Sequence, residues 1–241
     1  MGMNGRLLRP RATGFTPRNI SGLALWLDAA DTSTVTIGTG VSQWTDKSGN
    51  AVNALQGTAN NQPAYQVSVF NGRNAIYFDG TDDDLATAAN AAINVTELTL
   101  LVVFRGDAAS NDGVVTKSGL TLDPNGFGLY TRSTPEIWFQ GDDTEQAHCT
   151  RGGAYTNLSL AVLRGTATAQ SVRLNGAEAT PSAVATSYAA NRPLRIGTRR
   201  AGVEFFTGYV CEVLLYNRVI STGQETALRD SLKAKWGLTA V

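Results

Sequence analysis

Cysteine, histidine and charged residues are scarce in this chain of 241 residues. It contains two cysteines, Cys149 and Cys211, and a single histidine, His148. Two cysteines so far apart in sequence indicate no disulfide framework or metal cluster, and one histidine excludes a zinc site built on several histidines. Charged residues make up 17% of the chain and form no polybasic face, so we expect no nucleic-acid partner.

Long apolar runs are missing as well. No stretch of 18 apolar residues occurs, so the sequence predicts neither a transmembrane helix nor membrane insertion. The N-terminal MGMNGRLLRPRATGFTP is basic but lacks the apolar core of a secretory signal peptide. We therefore expect folding in a cytoplasm, and delivery to any site outside the cell by a route other than a signal peptide.

Short apolar or alternating segments, separated by turn residues, fill most of the chain. LTLLVVF, residues 98–104, is the most apolar and is expected to lie centrally in a sheet. FGLY and EIWF are expected to pair as a hairpin, and Asn175-Gly176 predicts a two-residue turn with positive φ angles. About ten strands at this spacing predict an all-β fold, a two-sheet antiparallel sandwich.

One helix is predicted, near the C-terminus. Ser221 and Gln224 have the spacing of a capping box. Leu228 and Leu232 belong to an apolar stripe, and Gly237 suits the left-handed conformation that ends a helix. We expect this helix to pack against an edge of the sandwich.

Tryptophans are few and most lie in apolar strands. We interpret all four as core residues rather than as platforms for a sugar: Trp26, Trp44, Trp138 and Trp236.

The first 19 residues differ from the rest in charge. Residues 1–18 contain four arginines and no acidic residue, so the remaining chain has 16 basic and 20 acidic residues, a net charge of −4. Pro10 and Pro17 favour extended backbone. We predict an extended basic arm over residues 1–19 and one domain over residues 20–241, with a loose terminal tail as the open alternative. The arm residues suited to docking on an acidic groove are Arg6, Leu7, Leu8, Arg9, Arg11, Phe15 and Arg18.

Two turns rich in oxygen-bearing side chains are candidate metal or sugar sites. SQWTDKSGN contains Asp46 and Asn50, and DGTDDD contains Asp82, Asp83 and Asp84. Calcium takes six to eight oxygen ligands, so Ca²⁺ is the one candidate ion, and we expect no obligatory cofactor. The simpler interpretation is a corner, in which Asp46 and Asn50 bond their own backbone and Gly49 supplies a positive φ. The calcium hypothesis requires the oxygens of the two turns to converge.

The order of four segments resembles a known family. GLALWLDAADTSTV, VSQWTDKSGN, NGRNAIYFDGTDDDL and FTGYVCEVLLYNRVISTGQETALRDSLKAKWGL are similar to the concanavalin A-like lectin/glucanase superfamily. The resemblance covers about residues 20–238 and is strongest to the laminin-G-like jelly-roll domains of secreted bacterial and tailed-phage virion proteins. It implies two antiparallel sheets packed face to face as a jelly roll. The arm is similar to short arms that precede such domains in virion proteins.

Motifs for catalysis are missing. The Glu-x-Asp-x-x-Glu pattern of glucanases in this superfamily does not occur, and the acidic GDDTEQ lies in a predicted loop. Retaining hydrolysis of glycosides needs two carboxyl groups about 5 Å apart. His148 and Cys149 are neighbours on an extended segment, so their side chains point to opposite faces. We therefore predict a protein that is not an enzyme.

The resemblance implies a structural protein of a bacteriophage virion, acting as a head decoration, a fibre or a tail attachment component. The arm would dock the jelly roll on the particle, with capsid, fibre or tail proteins as partners. A homo-oligomer within the particle is expected from virion symmetry, as is a location in the virion after release by lysis. The alternative is a lectin-like module that binds a host glycan, and a glycan-active enzyme comes third.

Overall fold

The computed structural model describes residues 14–107, 111–117, 126–134, 136–140, 148–153, 155–179, 188–200 and 202–239. Short segments with an apolar side chain at every second position form strands, because alternate side chains of a strand point to opposite faces. The strands pair antiparallel in two large sheets.

In the part of the chain that the structure describes, the first sheet has eight strands. In spatial order they are β15 (Ala177–Glu178), β14 (Gln170–Leu174), β13 (Ser159–Gly165), β8 (Leu98–Gly106), β19 (Thr207–Tyr216), β6 (Arg73–Asp79) and β5 (Ala64–Phe70), with β1 (Leu23–Asp28) paired to β19.

The second sheet has nine strands among the described residues. In spatial order they are β12 (His148–Gly152), β11 (Glu136–Gln140), β10 (Phe127–Thr131), β9 (Gly113–Lys117), β16 (Leu194–Ile196), β7 (Leu85–Thr87), β4 (Ala54–Leu55), β3 (Val41–Trp44) and β2 (Val35–Ile37). A separate hairpin joins β17 (Thr198–Arg200) to β18 (Val203–Phe205).

The main core lies between the two sheets. Leu100, Val102 and Phe104 of β8 point into it, and Leu129 and Ile196 reach it from the nine-stranded sheet. The arrangement confirms the predicted fold class, a two-sheet jelly-roll sandwich with one C-terminal helix. In the described residues, no helix is both long and apolar enough to cross a membrane.

The helix α1 (Thr222–Trp236) covers the outer face of the eight-stranded sheet. Its buried Leu228 and Leu232 belong to the same apolar cluster as Leu101 and Val103 of β8. The prediction that the helix lies at an edge is therefore wrong. LTLLVVF is apolar throughout because both faces of β8 are covered, one by the second sheet and one by the helix.

Several local predictions are confirmed. β10 and β11 pair as a hairpin, and Asn175 and Gly176 have φ angles of 49° and 83°. Ser221 and Gln224 form the capping box of α1, and Gly237 ends the helix with φ 71°.

The interpretation of all four tryptophans as core residues is correct for two of them. Trp44 and Trp236 are fully buried, whereas Trp26 and Trp138 are partly exposed. Trp138 lies between the core residues Ile137 and Phe139 of β11. Because side chains alternate along a strand, Trp138 points to the outer face of its sheet.

Candidate functional site

Asp46 joins its corner to β1 and occupies both carboxylate oxygens in doing so. Oδ1 accepts hydrogen bonds from the backbone N–H groups of Trp26 (2.9 Å) and Ser48 (2.7 Å). Oδ2 accepts from the Ser48 hydroxyl (2.7 Å) and from the Val52 N–H (3.1 Å). These are the contacts of a structural corner, in which a short polar side chain satisfies turn backbone.

Asn50 and Gly49 complete the corner. The Asn50 Nδ2 donates to the carbonyls of Leu23 (3.1 Å) and Ala24 (3.0 Å). Gly49 has φ 103° and no atom near the place of a side chain. Among the described residues, Asp46 belongs to no group of three or more potential metal ligands, so calcium at this corner remains a prediction without support from the neighbouring carboxylates.

The aspartate loop (residues 79–84) brings three carboxylates together. One oxygen from each of Asp79, Asp82 and Asp83 lies within 4.8 Å of the others. The loop is held by its own backbone, since Asp83 Oδ2 accepts from the Asp79 N–H (3.0 Å) and Asp79 Oδ1 accepts from the Thr81 N–H (2.8 Å). Burial raises the pKa of Asp83 to about 6, and repulsion from the neighbouring aspartates adds to that rise. Three carboxylates offer part of the six to eight ligands that calcium takes.

Asp84 is not in that group and points to the outer face of the nine-stranded sheet. Its Oδ2 lies 3.3 Å from Nη1 of Arg195, and its Oδ1 accepts from Nε2 of Gln56 (2.5 Å). Burial raises the pKa of the Asp84 carboxyl, and Arg195 and Gln56 act in the opposite direction. The carboxylate is therefore fixed in direction by two planar partners from distant parts of the chain.

Strand pairing places an aliphatic residue beside this group. A single row of cross-strand neighbours runs over β3, β4, β7 and β16 and consists of Gln43, Leu55, Ala86 and Arg195. Leu55 is 48% exposed. Together with Gln56 and Asp84, these four residues form what we call the polar row: an exposed aliphatic surface flanked by amide, guanidinium and carboxylate groups.

The β17–β18 hairpin lies over the neighbouring part of the same face. The Thr116 hydroxyl of β9 donates to the carbonyls of Thr198 and Arg199, both at 3.0 Å. The Arg199 guanidinium lies 5.3 Å from the ring of Tyr130. The hairpin therefore covers the centre of the sheet and leaves the polar row on one side of it.

A second group lies toward β11. The Arg132 guanidinium stacks 3.8 Å from the centre of the Trp138 ring, and the indole N–H donates to Glu136 (2.9 Å). Trp138 is the cross-strand neighbour of Tyr130.

The root of the arm is fixed to the domain. Nε of Arg18 donates to the Lys47 carbonyl (2.8 Å), and Nη2 of Arg18 donates to the same oxygen. The Tyr216 hydroxyl donates to the Pro17 carbonyl (3.0 Å). Phe15 is 39% exposed and lines a cavity of about 170 Å³ against α1. Arg18 therefore contacts the domain itself, through the corner that contains Asp46.

Other predicted residues lie outside the described residues. They are Arg6, Leu7, Leu8, Arg9 and Arg11 of the arm, Asp142, Asp143 and Glu145 of GDDTEQ, and the side chains of His148 and Cys149.

The family model Laminin_G_3, described as Concanavalin A-like lectin/glucanases superfamily, matches residues 79–224. That span is more than half of the chain. The chain belongs to this superfamily. A search of curated protein sequences gave no match.

Solved structures similar to this superfamily member include a domain of an arabinanase and the binding domain of a neurotoxin. Domain 4 of AbnA, an extracellular GH43 arabinanase from Geobacillus stearothermophilus solved in complex with arabinotriose, has a TM-score of 0.60 and 14% identity, covering 86% of this chain and 97% of that one. The binding domain of botulinum neurotoxin serotype D has a TM-score of 0.60 and 10% identity, covering 90% and 54%.

An enzyme contains the same unit. Trypanosoma rangeli sialidase in complex with the inhibitor DANA has a TM-score of 0.60 and 17% identity, covering 87% of this chain and 33% of that one. The chain thus spans about a third of the sialidase. At these identities the likeness shows the fold alone.

Asp79, Leu55 and Arg195 were not among the residues predicted from the sequence. The position of Asp79 could have been predicted, because it lies two residues after Tyr77 in the same alternating strand and so points to the same face. Arg195 carried no local signal, since it meets Asp84 across 111 residues of chain.

Proposed function

We propose that this protein is a carbohydrate-binding module without catalytic activity, and that the polar row holds the sugar. One observation carries the proposal: Arg195 and Gln56 fix Asp84, and the exposed Leu55 precedes Gln56 in the chain and is the cross-strand neighbour of Ala86. Specific ligand sites combine apolar surface with a few oriented polar groups. A carboxylate accepts hydrogen bonds from sugar hydroxyls, amides and guanidinium donate to them, and an aliphatic surface contacts the C–H face of the ring.

A glycan array with the purified protein, with Ca²⁺ and with a chelator, tests this function. We expect binding to at least one glycan. Leu55→Ala and Gln43→Ala should each weaken that binding about tenfold or more, because they remove ring contact and a hydroxyl partner. Val67→Ala is the matched control, since Val67 is 72% exposed on the edge strand of the other sheet. Silence of the wild type under both conditions overturns the proposal.

The absence of catalysis is part of the proposal. In the described residues, the carboxylates of Asp79 and Asp83 both accept hydrogen bonds from loop backbone, which suits a structural role. We expect no release of reducing ends on incubation with β-glucan or with any glycan that the array identifies. Release that Asp83→Asn abolishes would assign an enzyme instead.

We propose a second role, as a structural protein of a bacteriophage virion. The fixed arm root supports it, because Arg18 and Pro17 give the basic arm a defined exit from the domain. A head decoration, a fibre or a tail attachment component would display the jelly roll on a particle and leave its sugar-binding face exposed to a host glycan. Capsid, fibre or tail proteins are the proposed partners, and the virion is the proposed location.

Incorporation into particles tests this role. Deletion of residues 2–13 should leave a folded domain that no longer joins the particle, whereas the full chain joins it. Equal incorporation of both proteins would show that the arm is not the attachment element.

A further inference from the structure

The outer face of the eight-stranded sheet carries a group of partly exposed rings beside the cluster that α1 covers. Tyr77 and Arg105 are the cross-strand neighbours of Tyr209 on either side. The ring centres of Tyr77 and Tyr209 are 4.8 Å apart, and those of Phe70 and Tyr209 are 5.3 Å apart. We call these four residues the aromatic shelf.

Arg105 shows how this surface contacts a guanidinium group. Its guanidinium lies 4.6 Å from the Tyr209 ring and 5.5 Å from the Phe70 ring. The same guanidinium forms an ion pair with Asp107 at 2.6 Å. One arginine is thus held by stacking on aromatic faces and by a carboxylate, the two contacts that suit a guanidinium best.

Further carboxylates surround the shelf. Asp79 follows Tyr77 by two residues on β6, so it lies on the same face, and Asp82 belongs to its carboxylate group. Burial raises the pKa of Tyr77, and the charges of Asp107 and Asp79 raise it further. Arg105 and Arg73, the cross-strand neighbour of Phe70, supply two positive charges to this surface. The carboxylates of Asp79, Asp82 and Asp107 outnumber them by one, so the surface has a small excess of negative charge.

The ring geometry favours a side-chain partner over a sugar. The Tyr77 and Phe70 rings are inclined by 55° and 84° to the Tyr209 ring, so they form no flat platform for a pyranose. Tyr and Arg are enriched at the centres of protein interfaces.

The chain contains a segment of the matching chemistry. Residues 1–13 hold Arg6, Arg9 and Arg11 and no acidic residue. We propose that the aromatic shelf and its carboxylates bind the arginine segment, residues 6–11, of a second copy of this chain. Such a contact joins two different surfaces, head to tail, and so generates rings or longer assemblies. The inference is independent of sugar binding and deepens the virion role, because it supplies the homo-oligomer expected there.

Sedimentation velocity of the full chain, across a range of protein concentrations in 50 and in 300 mM NaCl, tests the inference. We expect self-association that grows with concentration and weakens in the higher salt, since exposed ion pairs are screened. The arm variant Arg6→Glu, Arg9→Glu, Arg11→Glu and the shelf variant Asp79→Arg, Asp82→Arg should each weaken association at least tenfold. A mixture of the two variants should restore it, because each arm then meets a surface of opposite charge.

The matched control reverses two exposed acidic residues elsewhere, Glu97→Arg and Asp230→Arg, and should associate as the wild type does. Thermal unfolding of every variant checks its folding.

A wild type that stays monomeric overturns the inference. So does a shelf variant that associates as strongly as the wild type, or a mixture of the two variants in which association does not recover. Loss of glycan binding with unchanged association in the shelf variant would assign the shelf to sugar instead. If the arm variant no longer joins the particle but still self-associates as the wild type does, the inference is overturned and the virion role stands.

Discussion

At the scale of single residues, Gly197 fixes how the β17–β18 hairpin leaves the nine-stranded sheet. Its φ is 86°, and a Cβ atom there would overlap the Phe78 ring and lie 3.1 Å from the Asp83 carbonyl. Gly202, in the turn of the same hairpin, has φ 81° and no atom within 4 Å of that place. The two glycines therefore share a backbone conformation and differ in their surroundings.

Gly197→Ala should destabilise the protein more than Gly202→Ala. A left-handed φ costs an alanine about 1 to 2 kcal/mol at either position. The overlap with Phe78 adds about 1 to 3 kcal/mol at Gly197 alone. Urea unfolding measures both losses in the free energy of unfolding, and equal losses would contradict the packing argument.

Asp83 predicts a pH dependence of stability. Its pKa is about 6 in the folded protein and 3.8 as an ordinary aspartate, so between about pH 4 and pH 6 the folded state binds the proton more tightly than the unfolded state. The contribution of this residue to stability therefore rises as the pH falls through 6 and levels off near 4.

Asp83→Asn removes this titration. The variant should be more stable than the wild type at pH 7, by about 1 to 2 kcal/mol once solvent screening is allowed for, and the difference should shrink towards pH 4. Urea unfolding at pH 7, 5.5 and 4 measures it, with the less buried Asp82→Asn as control. A difference that does not change with pH would assign the effect to packing.

At the scale of elements, local signals were sufficient for some predictions and not for others. β8 and the caps of α1 were readable because residues close in sequence determine them. β4 and β7, with two and three residues, are too short to show a period. The position of α1 could not be predicted from β8. Leu101 and Val103 of β8 point outward and are apolar, so some element must cover them, but residue spacing does not show which element it is. The polar row could not be predicted from the sequence, because Gln56 and Arg195 are 28 and 111 residues away from Asp84 in the chain.

The C-terminal end of α1 is held by a buried carboxylate. Glu212 accepts hydrogen bonds from the indole N–H groups of Trp26 (2.8 Å) and Trp236 (2.7 Å). Lys235 lies 2.7 Å from Glu212 and 2.5 Å from Asp28. Burial raises the pKa of Glu212, and Lys235 acts in the opposite direction. Lys235 thus compensates the charge of Glu212, and it shares Asp28 with Lys47, whose Nζ lies 2.9 Å from that carboxylate.

Lys235→Ala should lower the free energy of unfolding by about 3 kcal/mol, because the buried Glu212 loses the lysine that compensates its charge, whereas Asp28 keeps Lys47. Lys233→Ala, at an exposed position of the same helix turn, should change it by less than about 0.5 kcal/mol. Urea unfolding at pH 7 compares the two variants. A small loss at both positions would mean that water already solvates Glu212 and Asp28.

At the scale of the whole molecule, the sandwich presents two outer faces with different chemistry. The nine-stranded sheet carries the polar row, proposed for sugar. The eight-stranded sheet carries α1 and the aromatic shelf, proposed for a second copy. Because the core separates them, an assembly formed through the shelf would leave the polar row exposed, so the two proposed functions are compatible in one particle.

The boundary between arm and domain, predicted at residue 19, can be tested by two deletions. Removing residues 2–13 should leave thermal stability unchanged, because the contacts of Pro17 and Arg18 with the domain remain. Removing residues 2–20 takes away these contacts and also Ile20, which is 3% exposed in the cluster under α1. Loss of one buried isoleucine costs about 2 to 5 kcal/mol, so this protein should unfold at a clearly lower temperature. If both shortened proteins unfold at the same temperature as the wild type, the domain begins after Ile20 and the arm is longer than predicted. If both are destabilised alike, residues 2–13 themselves contribute to the stability of the fold.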